Sequence, residues 1–168
     1  MKKYLQLLLV LLVLLCCVGC DQAVKAIAKG ALASAPPVLL LGGALRFEYT
    51  ENPGAFLSLG AELPAGARFF LGVVLVGATQ LALLAFLLRT RTLSTWQRVG
   101  FSLFLAGGLG NWIDRLLNEG RVIDFVSLGV GGLHTGIFNV ADVAITAGIL
   151  MVLVAGRARM EERATGAG

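Results

Sequence analysis

The sequence predicts an all-α integral membrane protein, in which four transmembrane helices carry a small β-sheet on one side of the membrane. Hydrophobic residues make up 57% of its 168 residues and charged residues only 14%. The mean hydropathy is +0.84, well above the usual balance of soluble domains. The net charge of +4 comes without a long basic run. It therefore indicates orientation in a membrane, and we expect no binding to nucleic acid.

Four apolar segments approach the roughly 20 residues that a helix needs to cross a hydrocarbon core of about 30 Å. They are predicted at about 4–24, 69–88, 99–115 and 138–155. The third is the shortest and contains AGGLGN, so we expect it to pack against protein, where its glycines let helix backbones approach closely. We expect residues 1–156 to form a single membrane-embedded domain.

Basic residues predict the orientation of these helices. Eight of them flank the ends of apolar segments on one side: Lys2, Lys3, Arg89, Arg91, Arg98, Arg157, Arg159 and Arg163. The positive-inside rule places this side, and with it both termini, in the cytoplasm. Residues 157–168 are then a cytoplasmic tail, and we expect its last part, RMEERATGAG, to be disordered.

Two segments are expected on the outer side. Residues 26–67 contain strand-like alternation, as in ALRFEY, between proline and glycine turns, which predicts a small sheet resting on the membrane surface. Residues 116–137 form a glycine-rich connection that is too long for a simple turn. We expect a loop or short helix there, with a role in function.

Ionisable side chains are costly at membrane depth and are kept mainly for pairing or function. In this topology they gather at the outer helix ends: Asp21, Lys25, Asp114, Arg115, Asp124 and Asp142. Asp21 and Lys25 are four residues apart on a helix, the spacing of an ion pair. For this pair a structural role is favoured over a catalytic one.

The third helix carries a polar face at its outer end. Gly107, Asn111 and Arg115 repeat every four residues and so lie on one side of the helix, directed into the bundle. The sequence leaves open whether Arg115 neutralises a carboxylate, holds a backbone carbonyl, or extends to water at the membrane surface.

Two aspartates are the candidate catalytic acids. Asn139 is a natural N-cap with Asp142 three residues later, in the first turn of the fourth helix, so capping alone would explain this acid. Asp124, in RVIDFV on the predicted outer loop, has no such structural explanation. Two carboxylates that share a proton can activate water, one as base and the other as proton donor. The spacing of the two residues does not show that they meet.

A metal site is the less favoured alternative. His134 is the single histidine of the chain, and with Asp124 and Asp142 it would offer three ligands. Their spacing matches no metal-binding motif, and paired acids also act without a metal. We therefore expect no metal and no cofactor.

Five motifs, DQAVK, ENPGAF, GGLGNWIDR, VIDF and FNVAD, occur in the order found in the lipoprotein signal peptidase (signal peptidase II) family. The chain resembles this family from about Asp21 to Ile145. The resemblance implies a four-helix inner-membrane aspartic endopeptidase with a small periplasmic sheet, called a cradle, and no metal. It also implies a periplasmic active site and cleavage of diacylglyceryl prolipoproteins just before the lipidated cysteine.

Carried over by these motifs, the catalytic residues are Asp124 and Asp142. The resemblance implies that the supporting and substrate-binding residues are Asn52, Gly54, Asn111, Asp114, Arg115, Asn139, Asp21 and Lys25. The expected partners are prolipoprotein substrates and membrane lipid, and we expect a monomer. The chain departs from many members by having GAFL where they have G-A-A-F, and glycines in GVGGLHTGIFN where they carry aromatic residues and proline.

Three alternatives remain at this point. Besides an active peptidase, these are a catalytically inactive paralogue that binds lipoproteins, a non-enzymatic polytopic membrane protein, and a lipoprotein that is itself acylated at Cys20. The last requires cleavage before Cys20, which would remove the first helix and break the arrangement with both termini inside. It also places Cys17 where a lipoprotein signal usually has leucine, and it is therefore the least favoured.

Overall fold

The computed structural model describes residues 2–54 and 60–165. Within them the chain is mostly helical. The helices are α1 (Lys2–Leu32), α2 (Ala65–Arg89), α3 (Thr95–Leu117) and α4 (Val140–Thr165). The strands are β1 (Val38–Leu40), β2 (Leu45–Asn52), β3 (Val122–Val130) and β4 (Leu133–His134). They form one antiparallel sheet in the order β1-β2-β3-β4.

Three of the described helices are long and apolar enough to cross a membrane, namely α1, α2 and α4. The protein is therefore a multi-pass membrane protein, as its composition predicts. Helix α3 is different, because its glycines and its polar residues Arg98, Asn111 and Asp114 are buried inside the protein. It packs against the three apolar helices, which confirms that the third segment lies against protein.

Helices α1 and α4 extend beyond the limits drawn from hydropathy. Helix α1 continues to Leu32 rather than ending near 24, since no proline occurs before Pro36 and its residues favour a helix. Helix α4 continues to Thr165, so the prediction of a disordered end is wrong for residues 159–165. Four of these seven residues are arginine or glutamate, which favour helix. Residues 166–168 lie outside the described part of the chain.

Glycines bring α3 and α4 into close contact. A Cβ atom added at Gly107 would overlap the carbonyl oxygen of Ala141, and one added at Gly148 would lie 2.5 Å from the carbonyl oxygen of Gly100. Backbone cannot move aside as a side chain can. The small-residue packing predicted for the third helix is therefore confirmed.

Helix α2 contains a π-helical turn, Phe70–Leu75, next to α3. The indole nitrogen of Trp112 on α3 donates a hydrogen bond of 2.8 Å to the carbonyl of Val73 inside this turn. The indole also lies against Gly77, where a Cβ atom would lie 3.0 Å from the ring. Such turns leave helix carbonyls free for partners of this kind, so Trp112 sets the position of α2 on α3.

The sheet differs from the prediction for residues 116–137. Instead of a loop or short helix, this segment forms β3 and β4, and β3 pairs with β2 from Leu45 opposite Leu128 to Asn52 opposite Val122. Asp124 therefore lies on a strand, opposite Thr50, and not on an outer loop. Local composition did not reveal the strand because its partner is far away in the sequence, and pairing supplies most of the preference for a strand.

Apolar contacts attach the sheet to the extension of α1. Phe47 of β2 and Phe125 of β3 line an apolar groove together with Val24 and Ala28 of α1. The end of the sheet that carries Asn52 then meets the ends of the helices. We call this end of the bundle the sheet end.

We predict that Gly107→Ala destabilises the protein by about 1–3 kcal/mol, because the new methyl group has no room against α4. Gly156→Ala is the matched control within α4, since a Cβ atom there meets nothing within 4 Å. This control should be neutral or stabilising by up to about 1 kcal/mol, the helix propensity difference. Thermal unfolding in detergent measures both. Equal melting temperatures for the two variants would contradict the close packing of α3 on α4.

Candidate active site

The two candidate acids are held by one asparagine. Asp124 is only 2% exposed on β3, and its Oδ1 accepts a hydrogen bond of 2.7 Å from Nδ2 of Asn139. Asn139 is also the N-cap of α4: its Oδ1 accepts from the backbone N–H of Asp142 at 3.0 Å, and its own N–H donates to Asp142 Oδ2 at 3.2 Å. The predicted cap is therefore present. Because Asn139 contacts both Asp124 and Asp142, it links the two acids, whose proximity the spacing in the sequence did not show.

A second amide contacts each acid. Nδ2 of Asn52 donates to Asp124 Oδ2 at 3.0 Å, and Nδ2 of Asn111 donates to Asp142 Oδ1 at 2.9 Å. All four carboxylate oxygens thus accept a hydrogen bond from a neutral donor. Both side chains are thereby oriented without an opposite charge placed directly on either acid.

The environment of Asp124 changes its acidity. Burial raises the pKa of Asp124 to about 6, and the nearby charge of Asp142 adds to the shift, while the hydrogen bonds from Asn52 and Asn139 oppose it. Burial has this effect because it penalises the charged form of a carboxyl group. Asp124 therefore holds a proton at a pH where an ordinary aspartate is fully ionised.

A buried ion cluster lies one step away from the acids. Nζ of Lys25 lies 2.8 Å from Asp21 Oδ2, 2.8 Å from Asp114 Oδ2 and 2.9 Å from Asn111 Oδ1. Each of the three charged residues is no more than 2% exposed. An ammonium group has three donors, and all three are used. The ion pair predicted from the spacing of Asp21 and Lys25 is confirmed.

Backbone N–H groups of α4 and β3 also donate to the carboxylates of this cluster. The N–H of Ala141 in α4 donates to Asp21 Oδ1 at 2.8 Å, and the N–H of Ile123 in β3 donates to Asp114 Oδ2 at 3.0 Å. The cluster therefore links α1, α3, α4 and β3. It holds the residue next to each candidate acid.

The cluster also sets the orientation of an amide at the site. Oδ1 of Asn111 accepts from Lys25 at 2.9 Å and from Nδ2 of Asn139 at 3.0 Å. With its oxygen facing two donors, the amide must direct its NH₂ group to Asp142. Lys25 thus acts on Asp142 through a neutral side chain.

The structure decides between the alternatives for Arg115. Its Nη2 donates to the carbonyl of Gly54 at 3.0 Å and its Nη1 to the carbonyl of Asn111 at 3.3 Å. Within the described residues it forms no ion pair, so it holds backbone carbonyls. Gly54 in turn donates its N–H to Oδ1 of Asn52 at 2.9 Å. Arg115 therefore positions the amide that contacts Asp124. The unusual GAFL sequence continues into residues 55–59, outside the described part.

Apolar grooves lie on both sides of the network. One, of about 390 Å³, is lined by Phe138, Asp142, Val143 and Leu150. Another, of about 270 Å³, is lined by Leu63, Leu71 and Val76 beside Arg115. Asp142 is half-buried in the wall of the first groove, so it is the acid that a bound molecule reaches directly.

Comparison with known proteins gives the family. A family model described as signal peptidase (SPase) II matches residues 13–156. The chain belongs to the signal peptidase II family. This agrees with the resemblance carried by the five motifs, all of which fall within the matched residues.

Relatives and solved structures agree with this membership. The lipoprotein signal peptidase of Syntrophus aciditrophicus is 36% identical over 118 residues, which cover 68% of this chain and 71% of that protein. The lipoprotein signal peptidase of Staphylococcus haemolyticus is 31% identical and covers 92% of this chain and 94% of its own. A bacterial membrane enzyme solved by the in meso method superposes with a TM-score of 0.77 at 27% identity, covering 91% of this chain and 90% of the other.

Every residue predicted for this signal peptidase II site belongs to the hydrogen-bonded network just described, and their roles in cleavage stay predictions. His134 lies elsewhere, at the other end of the sheet, where Nε2 contacts the carbonyl oxygen of Gly43 at 3.1 Å. Among the side chains that the structure describes, those of residues 4–54 and 60–158, no three histidine, cysteine, aspartate or glutamate side chains are grouped to hold a metal ion. His134 therefore lies apart from the network of Asp124 and Asp142 in this structure.

Two structural residues were not predicted from the sequence, one in the network and one beside it on α3. Nε2 of Gln22 donates to Asp114 Oδ1 at 2.9 Å and to the carbonyl of Gly110 at 3.1 Å. Trp112 supports α2, as described above. Both lie inside motifs quoted for the family, DQAVK and GGLGNWIDR, beside residues that were selected. Membership of those motifs was the available signal.

We predict that Lys25→Met destabilises the protein by about 3–5 kcal/mol, because it leaves two buried carboxylates without their counter-ion. Lys29→Met, one helical turn further along α1 at an exposed position, is the matched control and should have little effect. Thermal unfolding at neutral pH measures both variants. A Lys25→Met protein that melts with the control would show that the cluster does not hold the fold together.

We predict a pH-dependent stability difference between the parent and Asp124→Asn. The folded pKa of about 6 exceeds the ordinary value of 3.8, so this carboxyl contributes stability below about pH 4 that is lost as the pH rises through 6. Between pH 4 and 7.5 the free energy of unfolding of the parent should therefore fall by up to about 3 kcal/mol relative to that of Asp124→Asn. Glu62→Gln, at an exposed position, is the control. Parallel stability curves for parent and Asp124→Asn would contradict the raised pKa.

Proposed function

We propose that this chain is a membrane aspartic endopeptidase that removes the signal peptide from diacylglyceryl prolipoproteins, cutting just before the lipidated cysteine. The observation that carries the proposal is the pairing of Asp124 and Asp142 through Asn139, in a member of the signal peptidase II family. The relatives named above are lipoprotein signal peptidases. Two neighbouring carboxyl groups in different environments can act as the general acid and the general base.

The proposed topology has four spans, with α3 as the one that is buried among the others. Its 23 residues correspond to about 34 Å of helix, enough to cross a bilayer. Both termini then lie in the cytoplasm of a bacterium, and the sheet end faces the periplasm from the inner membrane. This orientation is supported by the basic residues that flank the opposite ends of the helices.

In the proposed mechanism Asp142 is the base and Asp124 the acid. Asp142 lies in the first turn of α4, where the positive end of the helix dipole favours a charged carboxylate. Asp124 holds the proton because burial raises its pKa to about 6. Asp142 takes a proton from water as the oxygen attacks the carbonyl carbon before the cysteine, while Asp124 donates a hydrogen bond to the carbonyl oxygen.

The second half of the reaction breaks the peptide bond. The nitrogen of the lipidated cysteine leaves with a proton that the acid pair supplies, and the signal peptide is released with a new carboxyl end. Three amides keep the acids oriented whether Asp142 or Asp124 is the charged one. They belong to Asn52, Asn111 and Asn139, and a neutral amide beside an acid can remain in place when the charge moves to the other acid. Since one chain carries the whole network, we propose that a monomer is sufficient.

The proposed substrate suits the position of the network. A diacylglyceryl cysteine keeps its acyl chains in the membrane, so its scissile bond lies near the membrane surface, where the helices end. The apolar groove that Asp142 lines, with Phe138, Val143 and Leu150, offers a surface to the apolar parts of such a substrate. In the proposed mechanism, water has to reach only Asp124 and Asp142, where it attacks the scissile bond.

We predict that Asp124→Asn and Asp142→Asn each lower cleavage of a synthetic diacylglyceryl prolipopeptide by at least about 10³-fold, since each removes one half of a pair that acts as a unit. Loss of the signal peptide is followed by mass spectrometry with purified protein in detergent. Glu62→Gln is the control and should cleave normally, and the same peptide without lipid should not be cut.

Two outcomes would contradict this function. Normal cleavage by Asp124→Asn would remove the acid pair from the mechanism. A parent protein that binds the lipidated peptide without cutting it would instead be an inactive paralogue. Binding measured beside cleavage, with the same peptide, separates these cases.

A further inference from the structure

A second polar cavity lies at the end of the bundle opposite the sheet end. It has a volume of about 220 Å³ and lies between α1, α3 and the C-terminal end of α2. Leu7, Val10 and Leu87 form apolar walls. The other lining residues are Gln6, Leu88, Thr90, Arg91 and Arg98. The proposed catalysis makes no use of this cavity.

Arg98 is the unusual group in this cavity, because it is only 3% exposed. Its Nη1 donates to the carbonyl of Leu87 at 3.0 Å and its Nη2 to the carbonyl of Thr90 at 2.9 Å. These carbonyls belong to the last turn of α2 and the residue after it. A helix end of this kind offers about half of a negative charge, so it does not balance a whole guanidinium charge.

In the part of the chain that the structure describes, no carboxylate neutralises the charge of Arg98. The ion pairs there use Asp21, Asp114, Glu48 and Glu51, and none of them includes Arg98. A buried charge without a counter-ion is costly. A second cation, Arg91, lies exposed and lines the same cavity, which increases the demand for an anion.

We propose that this cavity binds the phosphate group of an anionic membrane lipid, with the first part of an acyl chain along Leu7, Val10 and Leu87. Guanidinium groups bind phosphate oxygens through paired hydrogen bonds, and the exposed Arg91 supplies such a group. Arg98 adds its buried positive charge and the N–H groups that the carbonyls of Leu87 and Thr90 leave unused. The apolar walls favour a lipid over free phosphate, since a free ion leaves them in contact with water. With the proposed topology this lipid lies in the cytoplasmic leaflet, whose surface is negative.

Binding of such a lipid joins the start of α1 to the connection between α2 and α3. The ligand contacts all three elements, so it should stabilise the protein against heat as any ligand of the folded state does. This consequence does not depend on catalysis. It is measurable even if the chain proves to be an inactive paralogue.

The test compares two arginines of the same connection. Arg91 lines the cavity, whereas Arg89, the last residue of α2, is exposed and is not part of its wall. Binding of phosphatidylglycerol to the detergent-purified full chain is measured by native mass spectrometry, beside its effect on the melting temperature. Arg91→Gln should weaken binding about fivefold, and Arg89→Gln should leave it unchanged. Phosphatidylcholine and inorganic phosphate should bind and stabilise less.

A third variant supplies the missing anion within the chain. Gln6→Glu places a carboxylate in the cavity wall, so it should raise the melting temperature without lipid and abolish the stabilisation by phosphatidylglycerol. Equal weakening by Arg91→Gln and Arg89→Gln would overturn the proposal in favour of diffuse attraction by the surface. Equal stabilisation by phosphatidylcholine or by inorganic phosphate would overturn it as well, since phosphatidylcholine has no net negative charge for the arginines and inorganic phosphate has no acyl chain for the apolar walls.

Discussion

The contact of Lys25 with Asp21 and Asp114 is the interaction on which the rest of the site depends. A lysine and two aspartates that are nearly inaccessible to water are tolerated only when every donor and acceptor has a partner. Here the partners come from α1, α3, α4 and β3. These elements therefore have one arrangement in which the cluster is satisfied. That arrangement also places the two candidate acids.

The ion cluster around Lys25 and the pair of Asp124 and Asp142 differ in how their charges are neutralised. The ion cluster is rigid because opposite charges meet directly. The acid pair contacts neutral amides, and Asn111 stands between Lys25 and Asp142. A lysine placed directly on Asp124 would favour its ionised form. Because amides separate Lys25 from the acids, Asp124 keeps a raised pKa. The acids can then gain or lose a proton while the surrounding backbone stays in place.

Glycines on α3 make this arrangement possible. Gly107 lies against α4, and Gly110 lies so close to Asp21 that a Cβ atom there would be 2.6 Å from the carboxylate. Without side chains at these positions, α3 lies close enough to its neighbours for short polar side chains to meet. The same helix carries Arg98 at its other end, so one buried helix serves both polar sites of the bundle.

Hydropathy predicted the helical segments well and their limits less well. It reports which residues favour the membrane, whereas α1 continues to Leu32 because nothing in its sequence stops a helix. Strand β3 was missed because it pairs with β2, a distant segment. The predicted sheet in residues 26–67 is present as β1 and β2. Alternation along a strand that has a turn nearby is a local signal, whereas pairing between distant segments is not.

What the sequence determined by itself were contacts across three or four residues. The pair Asp21 and Lys25 and the cap of Asn139 on Asp142 follow from helix geometry, which is the same in every protein. Only the tertiary structure decided that Asp124 meets Asn139, that Arg115 holds Gly54, and that Arg98 has no carboxylate partner among the described residues. These outcomes depend on how distant segments pack, and packing is a property of the whole chain.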